Sequence, residues 1–276
     1  MANILPIEKQ ITCIGALAEG QSIRSIERLT GVNQNTIMSL GVRVGNACAR
    51  IMDEKMTGLA CSKIQMDEIW GFIGKKQANL KPGDAAKGLG DVWTFVAIDA
   101  DTRMVPAFRV GKRDSYNANC FVEDLAARLD GERVQISTDG LAAYVDAIER
   151  GFGSEADYGQ IVKTYGHSEI EGQRRYSAPE IVTIKRKVIS GEPAQQHIST
   201  SYIERQNLTM RMHMRRLTRL TNAFSKKLEN FKAAVSLHFA YYNFVRMHKS
   251  LRCTPAMAGG VTDTIWTVRD LVEAAA

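Results

Sequence analysis

The sequence predicts an α/β protein in which a mixed sheet with flanking helices follows a small all-helical domain. Two features lead to this prediction. Apolar residues recur at helical spacing before residue 58, and strand-like runs alternate with amphipathic helical stretches from Cys61 onward. A chain of 276 residues suits a large domain with a small one, and 45% hydrophobic with 24% charged residues is an ordinary globular composition.

Residues 1–58 are predicted to form the helical domain. The stretch "IEKQITCIGALA" has apolar residues three or four positions apart, at Ile7, Ile11, Ile14, Leu17 and Ala18. Ser22 is a capping residue for the next stretch, "IRSIERL", whose apolar positions are Ile23, Ile26 and Leu29. Asn33 is placed to cap a third helix that begins with "QNTIMSL".

A short turn at "TGV" separates the second predicted helix from the third. Gly31 supplies the left-handed backbone conformation that such a turn needs. Helix, glycine-containing turn and helix make the helix-turn-helix arrangement, whose second helix enters the major groove of DNA. Gln34, Asn35 and Thr36 form the first turn of that helix, and Gln and Asn suit bidentate contact with adenine. The alternative is an ordinary helical hairpin.

Residues 59–260 carry the α/β pattern. "SKIQMDEIWGFIG" predicts a strand, and "VWTFVAIDADTRMVPAFRVG" predicts two strands joined by a turn at Asp99–Thr102. A helix ("SYNANCFVEDLAARLD"), a short strand ("RVQISTDG") and another helix ("LAAYVDAIERGF") follow. Gly153–Thr200 is expected to be an insertion or a long loop, strand-like around "EIVTIKRKVI". Residues 261–276 are expected to be a tail that ends in a frayed helix.

Three acidic residues stand at prominent places in this pattern. Asp67 interrupts the apolar run of the first strand, and Asp139 ends a later strand, where ligands of open α/β sheets bind. Glu204 stands near the start of the basic helix "SYIERQNLTMRMHMRR". Each alone also fits a solvent-facing acid, a turn residue or a surface ion pair. Glu68 rivals Asp67, but strand alternation puts the two on opposite faces, so only one of them is expected to serve.

Together the three acids predict a site for divalent metal ions. Asp and Glu oxygens are natural ligands of Mg²⁺, and two ions can clamp the attacking and leaving oxygens of a phosphoryl transfer. Arg211 lies on the same helix face as Glu204, where a phosphate would bind. The opposite face of that helix is expected to pack on the sheet through its apolar residues Ile203, Met210, Met214, Leu217 and Phe224.

Positive charge is concentrated in one part of the chain. Glu171 to Cys253 contains 16 Lys and Arg against 5 Asp and Glu, whereas the remainder contains 20 against 25. Concentrated basic residues favour a nucleic-acid partner, although a solvated basic face is the alternative.

The stretches "QMDEIW", "STDGLAAY" and "SYIERQNLTMR" resemble the Asp-Asp-Glu signature of bacterial insertion-sequence transposases, whose catalytic domain has a ribonuclease H-like fold. The later stretch "YYNFVRMHKSLRCTPAMAGG" is similar to a segment of the same transposases and of retroviral-type integrases. The resemblance covers roughly residues 62–260 and, with the helix-turn-helix, most of the chain. The 65 residues from Asp139 to Glu204 make a longer spacing than in the integrases.

This resemblance implies that Asp67, Asp139 and Glu204 are catalytic and hold two Mg²⁺ or Mn²⁺ ions. The activity it implies is cleavage of a DNA strand at the end of the element and attack of the freed 3′-hydroxyl on target DNA. The implied partners are double-stranded DNA, as element ends and as target, and further copies of the chain in a homo-oligomer. Three arginines of the basic helix would grip phosphates: Arg205, Arg211 and Arg215.

Several other functional classes lack their signals. The chain has no glycine-rich phosphate loop, no Gly-x-Ser-x-Gly elbow and no Cys-x-x-Cys pair. No apolar run approaches the roughly 20 residues of a membrane span, and "MANILPIEKQ" lacks the character of a signal peptide. We therefore expect no membrane partner and a cytoplasmic protein, and the resemblance to transposases implies association with the nucleoid. The remaining alternatives are a DNA-binding regulator derived from a transposase and a metal-dependent nuclease that does not join strands.

Overall fold

The computed structural model describes residues 4–165, 181–218 and 221–275. The helices are α1 (Ile7–Ala18), α2 (Ile23–Thr30), α3 (Gln34–Lys55), α4 (Ser115–Arg128), α5 (Ala143–Phe152), α6 (Ser201–His213), α7 (Leu228–Ala240), α8 (Pro255–Ala258) and α9 (Val268–Glu273). The strands are β1 (Lys63–Ile73), β2 (Gly90–Asp99), β3 (Phe108–Gly111), β4 (Val134–Thr138), β5 (Ala156–Tyr165) and β6 (Ile181–Ser190).

These strands form one mixed sheet in the order β3-β2-β1-β4-β5-β6. β4 is parallel to its neighbours β1 and β5, and the other three pairings are antiparallel. The predicted order of strand, strand, strand, helix, strand and helix is confirmed for β1 to α5. A mixed α/β sheet flanked by helices is therefore present, and it is compatible with a ribonuclease H-like fold.

Alternating side chains of β2 bury both faces of the sheet. Phe95 and Ala97 belong to the hydrophobic cluster that includes α4 and α5, whereas Val96 and Ile98 belong to the cluster that includes α6 and α7. The turn after β2 is held by buried Asp99, which accepts the backbone N–H groups of Asp101 and Thr102 at 3.2 and 3.1 Å. The predicted hairpin turn is thus confirmed.

The N-terminal helices begin where the sequence predicts. Ser22 accepts the backbone N–H of Ser25 at 3.1 Å and Asn33 accepts that of Asn35 at 2.9 Å, while Gly31 has a left-handed φ of 70°. Leu29, the last apolar position of the α2 pattern, is 72% exposed. It stands about 60° around α2 from buried Ile26, at the edge of the packed face.

α3 packs against α7 at very short range. A Cβ atom on Gly45 would lie 2.2 Å from the carbonyl oxygen of Ala233, so only glycine allows the two backbones to approach this closely. One hydrophobic cluster runs from Cys13 of α1 through Val44 of α3 to Met66 of β1. The N-terminal helices and the sheet therefore share a core.

The segment expected to be an insertion or loop contains two strands, β5 and β6. Within β5, Gly159 and Gln160 interrupt the apolar pattern; Gly159 is needed because a Cβ there would meet the side chain of Ile198 at 2.6 Å. Beyond Gln160, β5 leaves β4 and pairs with β6 alone, as a two-stranded ribbon. Residues 166–180 of the predicted segment lie outside the described residues.

The expected helical stripe ending at Phe224 is wrong. α6 ends at His213 because the backbone turns to an extended conformation at Met214, with φ −112° and ψ 100°. Met214 and Leu217 are still buried, but Phe224 lies in the following loop, its ring centroid 4.9 Å from that of Phe72.

The C-terminal part of the chain is packed rather than frayed. Asn243, in the "YYNFVRMHKSL" stretch, accepts the backbone N–H of Val105 at 3.0 Å and donates to its carbonyl at 2.9 Å. Thr267 caps α9, and Leu271 and Val272 of that helix are buried in the core. The frayed end expected from the sequence is thus incorrect, because α9 has an apolar face that the core covers.

Candidate active site

Two of the predicted acids meet because β1 and β4 are parallel neighbours of unequal length. Their pairing runs as far as Met66 opposite Thr138, where β4 ends. Asp67 is the next residue of β1, and Asp139 is the first residue after β4. The two carboxylates therefore lie side by side where the sheet opens at the end of β4.

Asp67 is held on both of its oxygens. Oδ1 accepts the backbone N–H of Glu68 at 2.8 Å, and Oδ2 accepts the Asn207 side-chain amide of α6, also at 2.8 Å. Burial, together with the negative charge of Asp139, raises the pKa of Asp67 to about 7, against the opposing hydrogen bond from the Glu68 backbone. A cation beside Asp67 would stabilise its ionised form against burial and the repulsion from Asp139.

Asp139 is more open to solvent, with 42% of its side chain exposed. Its Oδ1 accepts the backbone N–H of Leu141 at 3.0 Å, which fixes the turn after β4. Its Oδ2 lies 3.9 Å from Nη2 of Arg113, whose guanidinium is 4.8 Å from the centre of the Trp93 ring. A positive side chain thus borders the carboxylate pair.

Glu68 departs from the expectation that only one acid of this pair can serve. One carboxylate oxygen each of Asp67, Glu68 and Asp139 lie within 4.8 Å of one another. The backbone alternation itself holds, since Asp67 bonds to α6 while Glu68 is close to Tyr144 of α5. β4 stops at Thr138, so no β4 residue pairs with Asp67 or Glu68. The oxygens of these two side chains therefore come close to that of Asp139, which follows β4.

The charge of Glu68 is buried and partly compensated. Its side chain is 1% exposed, and Oε2 accepts from Nε of Arg113 at 3.2 Å and forms an ion pair with Nη2 at 3.1 Å. Burial raises the pKa of Glu68, while the Tyr144 hydroxyl and Arg113 lower it. Neither Oε1 of Glu68 nor the Tyr144 hydroxyl makes a hydrogen bond of normal geometry among the described residues.

Glu204 reaches the same cleft from the first turn of α6. Its Oε1 accepts the Thr200 hydroxyl at 2.6 Å and forms an ion pair with Lys163 of β5. Asp67, Asp139 and Glu204 all line a cleft of about 610 Å³, together with Arg113 and Lys163. The group of three converging oxygens, however, contains Glu68 and not Glu204.

The converging carboxylates are chemically suited to a divalent cation. Mg²⁺ and related ions prefer carboxylate oxygens, and Asp67, Glu68 and Asp139 together can hold one such ion. The cleft therefore combines ligands for a metal ion with two cationic side chains, Arg113 and Lys163.

The residues predicted to contact DNA are spread over two regions. Gln34, Asn35 and Thr36 are exposed on the first turn of α3. The three predicted arginines lie in α6 or just after it. Arg205 and Arg215 are exposed, whereas Arg211 is partly buried and donates to the Leu217 carbonyl at 3.4 Å.

Sequence reasoning missed Arg113, Lys163 and Tyr144. Lys163 was hidden because β5 was not recognised; the strand-like "QIVKTY" was the available signal. Arg113 and Tyr144 carry no local signal, since only the folded sheet brings the end of β3 and the start of α5 to the cleft.

Comparison with models of known protein families gives no match, and comparison with curated proteins gives no similar sequence. Among the described residues, no helix is both long enough and apolar enough to cross a membrane.

Proposed function

We propose that the chain is a DDE-type transposase that cuts and joins DNA strands with the help of two Mg²⁺ or Mn²⁺ ions. The observation that carries the proposal is that Asp67, Asp139 and Glu204, chosen from the sequence, line one cleft. They come from three separate elements and stand 72 and 65 residues apart in the chain. A convergence of this kind is what a two-ion phosphoryl-transfer site requires.

In this proposal the carboxylates hold the ions and the cations of the cleft hold the DNA. When bound, the ions supply Lewis acidity to the attacking and leaving oxygens at the phosphorus. Arg113 and Lys163 border the carboxylates, where their charges can meet the non-bridging oxygens of a phosphodiester. Water attacks first and breaks the P–O3′ bond, which leaves a 3′-hydroxyl and a 5′-phosphate. That hydroxyl then attacks a phosphodiester of the target duplex and displaces a 3′-hydroxyl of the target strand.

The N-terminal helices supply the recognition part of the proposal. α2, the left-handed turn at Gly31 and α3 form a helix-turn-helix, and the exposed Gln34, Asn35 and Thr36 meet base edges in the major groove. The exposed arginines in and just after α6 bind phosphates and fix position without reading sequence. Two element ends must be joined, so the working form is a homo-oligomer.

Strand cleavage and joining of a labelled duplex that carries an element end, with Mg²⁺, Mn²⁺ or EDTA, test the proposal. We expect metal-dependent cutting at the 3′ end and joined products, both absent in Asp139→Asn. Asp146→Asn on α5 is the matched control, because the side chain of Asp146 is 69% exposed and outside the cleft; it should keep full activity.

The other possible outcomes would each replace or overturn part of the proposal. Cutting without joining would replace the transposase by a nuclease. Binding of the element end without chemistry in any metal would replace it by a DNA-binding regulator. Equal activity of wild type and Asp139→Asn would overturn the assigned site.

A further inference from the structure

Glu68 is a buried acid next to the cleft that the three-acid site leaves without a role. An ionised carboxylate with a side chain 1% exposed is unfavourable unless both oxygens are satisfied. Oε2 of Glu68 is satisfied by Arg113, but Oε1 is buried and makes no hydrogen bond of normal geometry among the described residues, although the Tyr144 hydroxyl lies close enough to lower the pKa of Glu68. A buried acceptor held this poorly leaves room for a stronger partner.

A divalent cation is the partner that fits this oxygen. One oxygen each of Asp67, Glu68 and Asp139 already lie within 4.8 Å of one another. Ligands held at 2.0–2.1 Å from one octahedral ion are about 3–4 Å apart. Side-chain rotations that shift the carboxylate oxygens by about 1 Å would therefore bring them to ligand distance from one ion. Three negative charges facing one guanidinium also leave the cluster with an excess of negative charge.

Glu204 is engaged elsewhere in the same structure. Its Oε1 is bound by the Thr200 hydroxyl and by Lys163, and it is outside the converging group. An ion held between Asp67 and Asp139 would therefore lie within reach of a Glu68 oxygen, whereas Glu204 is already paired with a cation.

We propose that Glu68 is a metal ligand: with Asp67 and Asp139 it forms the site for the first divalent ion. This inference rests on the proposed function, because it concerns the ions of the same cleft. Arg113 is the positioning residue of the site, since its bonds to Oε2 hold the carboxylate with Oε1 left for the ion. Glu204 joins the ions only after Lys163 has released it.

The test is Mn²⁺ binding to the full chain, measured by titration calorimetry without DNA. We expect Glu68→Gln to raise the dissociation constant of the first bound Mn²⁺ at least about tenfold. Glu204→Gln makes the same chemical change at a glutamate that lines the cleft. It should leave the dissociation constant of the first Mn²⁺ within about twofold of the wild-type value. Asp67→Asn should abolish binding.

A structural role for Glu68 makes a different prediction. If Glu68→Gln lowers the thermal unfolding temperature but binds Mn²⁺ as tightly as wild type, the inference is overturned. Should Glu68→Gln not fold, Glu68→Asp decides, because it keeps the charge beside Arg113 and withdraws the oxygens by one methylene. We expect it also to weaken the first Mn²⁺, and unchanged affinity would overturn the inference.

The outcomes separate this inference from the proposed function. Mn²⁺ binding that depends on Asp67 and Glu204 but not on Glu68 removes the inference and leaves the transposase proposal intact. Absence of Mn²⁺ binding to the wild type, or binding indifferent to Asp67→Asn, would remove both.

Discussion

Replacing Asp67 by Asn should stabilise the metal-free protein at neutral pH while it removes the metal site. Burial and the neighbouring Asp139 raise the pKa of Asp67 from 3.8 to about 7. One pKa unit corresponds to about 1.4 kcal/mol, so this shift sets an upper bound of roughly 4 kcal/mol on the cost of ionising Asp67 in the fold. Partial exposure and relaxation reduce it, and we expect about 1–3 kcal/mol.

The pH dependence has a definite sign. Because the folded pKa is higher than the unfolded one, the ionised carboxylate weakens the fold. This penalty is absent below about pH 4, grows as the pH rises towards 7, and is constant above the folded pKa. The amide that Asp67→Asn introduces does not ionise, so the advantage of the variant should grow over the same window.

The cleft can accept the amide without strain. The retained oxygen still accepts the backbone N–H of Glu68. The new amide nitrogen faces Asn207, whose Oδ1 is buried and has no partner among the described residues. Rotation of the Asn207 amide by half a turn turns that oxygen towards the new donor, so one hydrogen bond replaces another.

Urea unfolding in EDTA at pH 5 and pH 8 measures the effect. The stability of Asp67→Asn relative to wild type should grow by about 1–2 kcal/mol between these two pH values. Asp146→Asn is the matched control, because its carboxylate is 69% exposed and outside the cleft, so the same substitution there removes no buried charge. A difference that is independent of pH, or an Asp67→Asn protein that is less stable at pH 8, would refute the reasoning.

Two further predictions concern the helical packing and the ribbon. Gly45→Ala should destabilise the protein by about 2–3 kcal/mol, because its Cβ would meet the Ala233 backbone at 2.2 Å, whereas Gly41→Ala meets only a leucine methyl at 3.2 Å and should gain up to about 1 kcal/mol of helix stability. Urea unfolding compares them, and equal effects would contradict the close approach of α3 and α7. Lys185→Glu with Lys187→Glu on exposed β6 should weaken DNA binding and lower its log–log salt slope by about 2, measured by anisotropy of a labelled duplex. An unchanged slope would show that β6 does not touch phosphates.

The sequence was informative wherever a local pattern determines the structure. The caps at Ser22 and Asn33, the left-handed Gly31 and the hairpin turn at Asp99 depend on neighbouring residues, and all four were predicted. Asp139 was found because a strand followed by Asp-Gly places an acid at a strand end. These features need no knowledge of which elements pack together.

What the sequence did not show depends on register and on strand length. Alternation correctly separated the backbone directions of Asp67 and Glu68, but the meeting of their oxygens follows from where β4 ends beside β1. The pairing of Lys163 with Glu204 crosses 41 residues and needs β5 beside β4. No local pattern carries such information, because it arises only when the sheet is assembled.

The close contact at Gly45 has a mechanical consequence for the proposed function. α3 extends for about 33 Å as one continuous helix, with Gln34–Thr36 at its first turn and Gly45 locked against α7 midway along it. If that first turn binds bases, as proposed, it would hold them at a set distance from the cleft without an intervening flexible linker. Under the proposed function, this rigid spacing would fix the number of base pairs between the recognised sequence and the cut.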